Sequence, residues 1–213
     1  MRGGALQTIN IGRKLVLGFG AILAVMAVLV TVALMNMRAL HEDLVRIVLV
    51  NNKRQTIATS MATIVREDAI AIRNCFLQME RTDEMIKRID DNNAKFDKAF
   101  KQVERTTSSD DVKGHEILLL VKKSWTTSGE LNERTLALLI AGRRHEAFGL
   151  YEKESRVAMR QAIQATEDLV KHQETRSEMR YDAATRHYRD TWLFMISVGV
   201  ATFLLVIIIA IRF

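Results

Sequence analysis

Two uncharged apolar segments lie near the two ends of the 213-residue chain, and they constrain its architecture more than any other feature. The first covers residues 15–37 and the second covers residues 191–211. A helix that crosses a bilayer needs about 20 consecutive, mainly apolar residues, and each segment is long enough. The sequence therefore predicts two transmembrane helices with a polar segment, residues 38–190, between them.

The charges that flank the two segments predict their orientation. Basic residues in short flanks stay in the cytoplasm, whereas long segments are translocated largely regardless of their charge. The flanks, residues 1–14 and 212–213, contain no acidic residue and four basic ones: Arg2, Arg13, Lys14 and Arg212. Both termini are therefore expected in the cytoplasm, and residues 38–190 outside it.

The first apolar segment has the position of a secretory signal peptide, which is the alternative to a membrane helix. The apolar core of a signal peptide is about 7–15 residues long and leads to a small-x-small cleavage site. This segment is longer, and its end at residues 32–37 offers no good site of that kind. An uncleaved signal anchor is therefore the better interpretation.

The segment between the apolar spans has the composition of a helical bundle. The chain contains no proline, and only four of its ten glycines lie between the spans, so nothing forces long helices to break. The alternating runs that are typical of strands are missing from the sequence. We expect an all-α fold, an up-down-up-down antiparallel four-helix bundle, whose outer two helices continue into the membrane helices. The four helices are predicted at about residues 38–80, 83–106, 110–141 and 144–190.

Heptad-like stripes support the bundle, because residues spaced alternately by three and four share one helix face. The first helix has Leu44, Ile47, Asn51, Arg54, Ala58, Met61, Val65, Asp68, Ile72, Cys75 and Met79. The second helix has Ile86, Ile89, Asn93, Phe96, Phe100 and Val103. The fourth helix has Ala158, Ala162, Ala165, Leu169, His172, Arg176, Met179 and Ala183. The polar members of the first and fourth stripes either set the register or are exposed; a sharper interpretation is that they let the bundle shift.

Three local patterns complete the prediction. Thr82 is expected to cap the second helix, with acidic residues in its first turn. Gly142 is expected to stop the third helix, followed by arginines that favour a helix C-terminus. Cys75 is the only cysteine and cannot form an internal disulfide; it is expected to be a small buried residue, with pairing between two copies as the alternative.

Three short segments, in this order and with this spacing, resemble the N-terminal half of bacterial methyl-accepting chemotaxis receptors whose sensory module is a four-helix bundle. They are the basic start of the first apolar segment (residues 9–19), the distal part of the first helix (residues 66–77), and residues 142–148. The resemblance covers essentially the whole chain. It implies a homodimeric chemoreceptor module of the bacterial inner membrane, with residues 38–190 in the periplasm, that detects a small solute and carries no cofactor.

The chain departs from such receptors in two respects. They continue beyond the second membrane helix into a HAMP linker and a long cytoplasmic hairpin that contacts a kinase, whereas this sequence stops at Phe213. A kinase or adaptor partner is therefore expected only through domains outside the given sequence, which reads as a fragment, a truncated product or a lone sensor module. Many such receptors also have a proline early in the fourth helix, and this chain has none.

The resemblance also implies a site for a carboxylate or an amino acid. In related receptors, arginines in the distal part of the first helix bind carboxylates at the dimer interface, with polar residues from the start of the fourth helix. Arg73 and Asn74 match the family pattern here, and Arg66 is a looser match. Antiparallel pairing of the helices puts Tyr151 and Ser155 of the fourth helix near the same level. A guanidinium group can hold a carboxylate in a bidentate pair. Ordinary solvated surface charge is the alternative for these arginines.

The sequence does not indicate an enzyme, a metal site or a nucleic-acid-binding protein. The five histidines are scattered, without the spacing of a metal motif, and no glycine-rich phosphate loop is present. Residues 38–190 carry 27 basic and 25 acidic residues, so they form no strongly basic domain. Tyr188 and Trp192, at the start of the second apolar segment, are expected to anchor it at the membrane interface.

Two alternatives to a chemoreceptor remain open at this point. The input half of a sensor histidine kinase can have the same exported bundle, and the residues that follow in the parent gene would separate the two. A membrane-tethered structural bundle without a ligand is the other alternative, which a ligand screen would address. The identity of the ligand does not follow from the sequence.

Overall fold

The computed structural model of the chain describes residues 11–45 and 52–212. These residues are almost entirely helical and contain no strand, which confirms the predicted all-α class. They fall into two compact units. One unit is formed by Met1–Arg46 together with Arg180–Phe213, and the other, which contains the bundle, is Ile47–Met179.

The bundle consists of four helical segments joined by short turns. Its elements are α2 (Asn52–Leu77), α3 (Thr82–Thr106), α4 (Val112–Ile140), α5 (Arg144–Leu150), a π-helical turn (Tyr151–Ser155) and α6 (Arg156–Arg212). The last three elements together make up the fourth helix of the bundle. The observed C-terminal ends of α2, α3 and α4, and the observed starts of α3 and α4, lie within three residues of the predicted ones. The predicted start at residue 38 falls within α1 (Ile11–Val45), and the junction at residues 46–51 lies outside the described residues.

The turn between α4 and α5 ends α4 in the predicted way. Gly142 has a φ of +74°, in the left-handed region that favours glycine. Its amide donates to the carbonyl of Leu139 at 3.1 Å, and the amide of Arg143 donates to the carbonyl of Leu138 at 2.9 Å. These two bonds form a Schellman motif. The Arg143 side chain pairs forward with Glu146 in the first turn of α5, with Nε to Oε1 at 2.8 Å, and not with the carbonyls of α4.

The turn before α3 corrects the predicted cap of that helix. Thr82 is the first residue of α3, and Arg81 occupies the N-cap position without a side-chain cap bond. The Thr82 hydroxyl donates to the carbonyl of Met79 at 2.8 Å, so the prediction of Thr82 as the N-cap is wrong. At the start of α4, Asp111 is the N-cap and its carboxylate accepts from the amide of Gly114 at 2.9 Å.

The predicted stripes form the interior of the bundle over most of their length. On α2 every stripe member from residue 54 to residue 75 is buried. On α3, Ile89, Phe96, Phe100 and Val103 are buried as predicted, but Asn92 takes the interior position predicted for Asn93, which is only half-buried. Met79 and Met179 are exposed, as is Ala183. Ile47 and Asn51 lie outside the described residues, as does the side chain of Leu44.

The buried apolar residues form two separate clusters. The first contains Ala58, Met61, Ile64, Val65, Phe96, Phe100, Val103, Ile117, Leu118, Val121, Ala162, Ala165 and Leu169. The second contains Ala71, Ile72, Cys75, Phe76, Met85, Ile89, Leu136, Leu139, Ala147, Tyr151 and Met159. Each cluster has members on all four helical segments of the bundle, which is the packing expected for an antiparallel bundle.

The other unit contains the apolar segments. Gly18–Glu42 of α1 and the helix that covers Arg144–Ile208 are long and apolar enough, by length and composition, to cross a membrane. Their most apolar windows are not buried within the described chain, so they do not resemble core helices of a soluble protein. The described helices are thus consistent with two membrane spans.

Candidate functional site

The distal end of the bundle is closed by aromatic packing between α2 and the start of the fourth helix. The ring of Phe76 lies 5.2 Å from that of Tyr151 and 5.9 Å from that of Phe148, the latter edge-on. Arg144 Nη2 donates to the carbonyl oxygen of Phe76 at 3.1 Å and so satisfies an acceptor in the last turn of α2. These contacts hold the last turn of α2 beside the π-helical turn.

Three exposed arginines surround Tyr151 at this end of the bundle. Burial is the main cause that raises the pKa of the Tyr151 phenol, and Glu152 raises it further. The positive charges of Arg73 on α2 and of Arg156 and Arg160 on α6 act in the opposite direction. Arg156 is paired with Glu152 at 2.8 Å, so Arg73 and Arg160 supply the net positive charge beside Tyr151, which favours a bound anion.

The residues predicted on α2 differ in how accessible they are. Arg73 is exposed and forms no ion pair with the described residues, and Asn74 is half-buried. Arg66 is exposed and its Nη2 lies 2.7 Å from Oε1 of Glu167 on α6. Both partners of that pair are solvated, so it contributes at most about 1 kcal/mol to stability. Of the two arginines, Arg73 is the one available to a ligand without the loss of an existing partner.

Tyr151 and Ser155, the two site residues predicted on the fourth helix, face inward. Tyr151 is 8% exposed and Ser155 is completely buried. The Ser155 hydroxyl donates to Oδ1 of Asn132 on α4 at 2.5 Å. A surface ligand could reach the edge of Tyr151, whereas Ser155 belongs to the interior.

Ser155 is one member of a buried polar layer that crosses the whole bundle. The other members are Asp68 on α2, Asn92 on α3 and Asn132 on α4, so each helical segment supplies one residue. Asn132 Nδ2 lies 3.4 Å from Oδ2 of Asp68. Asp68 and the two asparagines are at most 2% exposed. We call these four residues the polar layer.

The polar layer leaves Asp68 short of partners. Among the described residues, Oδ1 of Asp68 and Nδ2 of Asn92 have no hydrogen-bond partner, although Asn92 is near enough to act on the carboxyl electrostatically. Burial raises the pKa of Asp68 from 3.8 to about 6, and the amides of Asn92 and Asn132 only partly oppose this. Burial disfavours the charged form of a carboxyl group when no cation compensates it.

A second buried carboxylate lies at the opposite end of the bundle. Oδ1 of Asp111 lies 2.9 Å from Nε2 of His172 and 2.8 Å from Nη1 of Arg176, both on α6. Burial alone would raise the pKa of Asp111, but hydrogen bonds from the Gly114 amide and His172 and the charges of His172 and Arg176 lower it overall. Asp111 therefore stays ionised and links the α3–α4 turn to α6. We call Asp111, His172 and Arg176 the Asp111 cluster.

Cys75 occupies the environment that the sequence suggests. Cys75 is completely buried, and burial raises the pKa of its thiol to about 11, so it is an unreactive core residue in the closed bundle. Tyr188 and Trp192 are each about half exposed on α6. Within the described part of the chain, no group of three or more His, Cys, Asp or Glu side chains could hold a metal ion.

Several residues of these sites were not predicted. Arg156 and Arg160 are separated by one helical turn on α6, a spacing that the sequence contains but that has no meaning until α6 is paired with α2. Asn132 continues a run of small polar residues on α4, with Ser124, Ser128 and Thr135, all of them buried. That run at helical spacing is the one sequence signal that could have indicated a polar interior on α4.

Comparison with known proteins gives one result. Residues 8–188 match the sequence family described as a four helix bundle sensory module for signal transduction. No curated protein and no solved structure matches the chain. The family match covers the first apolar segment and the whole bundle, which is most of the chain.

Proposed function

Because the chain belongs to the family of four-helix-bundle sensory modules for signal transduction, we propose that it is the sensor module of a transmembrane chemoreceptor. In this proposal the bundle detects a small solute outside the cytoplasm, and α6 carries the change to an output domain in the cytoplasm. The observation that carries the proposal is the family match over residues 8–188.

The proposed orientation places both termini in the cytoplasm of a bacterial cell and residues 38–190 in the periplasm, with spans at residues 15–37 and 191–211. The basic flanks support it, since Arg2, Arg13, Lys14 and Arg212 are the only charged residues in them. Tyr188 and Trp192 are exposed at the start of the second span, as aromatic anchors at a membrane interface would be.

A carboxylate is the ligand group that the distal surface favours. Arg73 has no ion pair with the described residues, and the charges of Arg156 and Arg160 are close enough to act on the same tyrosine. A guanidinium group binds a carboxylate through two parallel hydrogen bonds, and additional positive charge nearby increases the local concentration of anions. We place Arg73 in direct contact with the ligand, beside Asn74 and the edge of Tyr151.

Arg66 and Ser155 have lesser roles in this proposal. A ligand would have to displace Glu167 to reach Arg66, so Arg66 contributes general positive charge. Ser155 is buried and bonded to Asn132, so it responds to the position of the fourth helix and does not contact the ligand. The ligand class is a small carboxylic acid or an amino acid.

The proposed protein partner is a second copy of the chain. A stripe on α2 has the alternating spacing of three and four residues but remains unburied: Thr59, Thr63, Arg66, Ile70, Arg73 and Leu77. Ile70 is 41% and Leu77 is 72% exposed. Such a stripe is the pattern of a helix that packs against another helix, and it contains the arginines of the proposed site.

Two measurements test this function on the full chain reconstituted in lipid nanodiscs. A panel of small dicarboxylates, monocarboxylates and amino acids is screened by thermal shift, and each compound that stabilises the protein is titrated by calorimetry. A ligand that binds the native state raises its Tm in a concentration-dependent way. Failure of every carboxylate, or equal binding of uncharged analogues, would contradict the ligand class.

The topology is tested separately in cells. Reporter fusions that are active only outside the cytoplasm are expected to be active near Ser108 and inactive at either terminus. Activity of the reporter at a terminus would overturn the orientation and, with it, detection outside the cytoplasm.

Signalling also requires a ligand affinity that differs between two states of the bundle.

A further inference from the structure

The polar layer separates the two apolar clusters of the bundle. On α2, Asp68 lies between Val65 of one cluster and Ala71 of the other. On α3, Asn92 lies between Phe96 and Ile89 in the same way. A bundle stabilised only by burial would place apolar side chains here, since an unpaired buried carboxylate is costly. The layer therefore lowers stability at the centre of the fold, which calls for a functional reason.

Neutral groups face Asp68 from every helix around it. Asn92 faces it from α3, Asn132 from α4, and Ser155 is connected to it through Asn132 from the fourth helix. On α2 itself, the titratable group that responds to its charge is the Cys75 thiol. Within the described residues, no lysine, arginine or histidine forms an ion pair with it. A proton is the only positive charge that can neutralise Asp68 without a rearrangement of these partners.

The layer is also joined to the one irregular turn of the fourth helix. Ser155 is the last residue of the π-helical turn, and α6 begins at the next residue. A π turn contains one more residue than a turn of α-helix, and such turns are frequent at functional sites. The chain of hydrogen bonds from Asp68 through Asn132 to Ser155 thus ends where the register of the helix that leads into α6 can change.

We propose that Asp68 is a proton-binding switch: protonated, it keeps the polar layer closed; ionised, it loosens the layer and, through Asn132 and Ser155, the π-helical turn. A solvent proton adds to a carboxylate oxygen of Asp68, and the neutral acid can donate to an amide oxygen of the layer. The pKa of about 6 for this carboxyl places the transition in a range that a cell surface experiences. The switch does not require the proposed carboxylate site.

The chain contains its own reporter for this switch. Cys75 is the only cysteine, lies on the same stripe of α2 as Asp68, and is completely buried, so a thiol reagent reaches it only when the distal core opens. The full chain in nanodiscs is labelled with a disulfide reagent between about pH 5 and pH 8. The rate for wild type is divided by the rate for Asp68→Asn at each pH, which removes the pH dependence that the two proteins share. The charge of Asp68 raises the pKa of the Cys75 thiol, an effect that slows labelling of wild type and so acts against the expected rise in the ratio.

The rate ratio is expected to be smallest at the acid end and to rise roughly tenfold toward the basic end, as an ionised Asp68 favours opening. Asp91→Asn changes an exposed carboxylate of α3 next to Asn92 and is the matched control, for which the ratio to wild type should stay constant. Asp68→Ser, with a small neutral side chain, repeats the comparison should Asp68→Asn fail to fold. If the ratio of wild-type to variant labelling rates does not change with pH, for whichever Asp68 variant folds, the proposal is wrong.

Coupling to the fourth helix is tested by hydrogen exchange of the peptide that contains the π-helical turn. At matched pH, wild type should exchange faster than Asp68→Asn at the basic end of the range, and the difference should narrow toward the acid end. Ser155→Ala should keep the pH-dependent labelling of Cys75 but lose the response of the turn, because the bond to Asn132 is gone. If the turn does not respond in wild type, Asp68 titrates without acting as a switch and the proposal is wrong.

Discussion

Asp111 and Arg176 form a 2.8 Å ion pair that links the N-terminus of α4 to α6. The same carboxylate oxygen of Asp111 also accepts from the amide of Gly114 and lies within hydrogen-bond distance of His172. One side chain therefore caps a helix, closes the α3–α4 turn and holds α6, the helix through which the proposed signal leaves the bundle.

Removal of this carboxylate is expected to destabilise the bundle. Asp111→Ala loses the helix cap and leaves Arg176 and His172 without their partner, at a cost of about 2–4 kcal/mol. Asp83→Ala removes an exposed acid from the first turn of α3 and should cost less than about 1 kcal/mol. Thermal unfolding of both variants in the same nanodiscs, followed by circular dichroism, gives the comparison. Equal losses would mean that the Asp111 cluster contributes no more than surface charge.

The two buried carboxylates predict opposite responses to pH. The pKa of Asp111 is lowered in the folded state, so its stabilising contribution is present above 3.8, the ordinary value, and is lost as the pH falls through the folded pKa. The pKa of Asp68 is raised to about 6, so its favourable contribution is complete below 3.8 and is lost as the pH rises toward 6. The loss is at most about 3 kcal/mol, since one unit corresponds to 1.36 kcal/mol.

The measurement for Asp68 is the difference in unfolding free energy between wild type and Asp68→Asn as a function of pH. Wild type should be favoured relative to the variant at low pH, and the advantage should decline until the pH exceeds about 6. Asp111→Asn should show the reverse dependence, confined to acid. A difference for Asp68 that increases with pH would mean that the carboxyl is stabilised by a cation and is not simply buried.

The periodic positions were predicted well because burial itself is periodic along a helix. The α2 stripe from Arg54 to Cys75 is buried as predicted, since over six turns each member faces the other helices of the bundle. On α3 the spacing alone could not decide between stripes through Ile86 and Met85, which are both apolar. The structure selects Met85, and Asn92 thereby replaces Asn93 in the interior. The predicted stripes are no longer buried at Met79 and Met179, because the neighbouring helices do not cover these positions. A sequence repeat cannot show where such cover ends.

The site residues were harder to predict because they depend on which helices meet. Asp68 stands out in the sequence as a charge within an apolar stripe, but its partners Asn92 and Asn132 lie 24 and 64 residues further along the chain. Their alignment follows from the lengths of the turns and from the π-helical turn, for which no sequence rule applies. The family match supports the module as a whole, whereas the individual contact residues remain predictions.

Gly129, inside α4, and Gly142, just after its end, form a matched pair that tests the effect of backbone conformation on stability. At both Gly129 and Gly142 an added Cβ meets nothing within 4 Å, so space is not the difference between them. Gly142→Ala should cost about 1–2 kcal/mol because φ there is +74°. Gly129→Ala, inside the helix, should gain about 0.5–1 kcal/mol. Thermal unfolding should shift in opposite directions, and a loss of stability in both variants would contradict the assigned end of α4.

The last prediction concerns the arginines beside Tyr151. Arg73→Ala removes a charge-assisted pair with the bound carboxylate and should weaken binding by about 1.5–3 kcal/mol, roughly ten- to a hundredfold. Arg160→Ala and Arg66→Ala should each weaken it only a few-fold, since they act as nearby charges that solvent screens. Arg105→Ala, an exposed arginine at the other end of α3, should have no effect.

The four variants are compared by calorimetric titration of a carboxylate found in the screen, with the full chain in nanodiscs. Their Tm values without ligand should stay close to that of wild type, because exposed arginines contribute little to folding, so a change in affinity reflects the site itself. Raising the salt concentration should reduce the effect of Arg160→Ala more than that of Arg73→Ala, because a direct bidentate contact is screened less than a charge at a distance. Equal affinity of wild type and Arg73→Ala would mean that Arg73 is ordinary surface charge and that the ligand site lies elsewhere on the bundle.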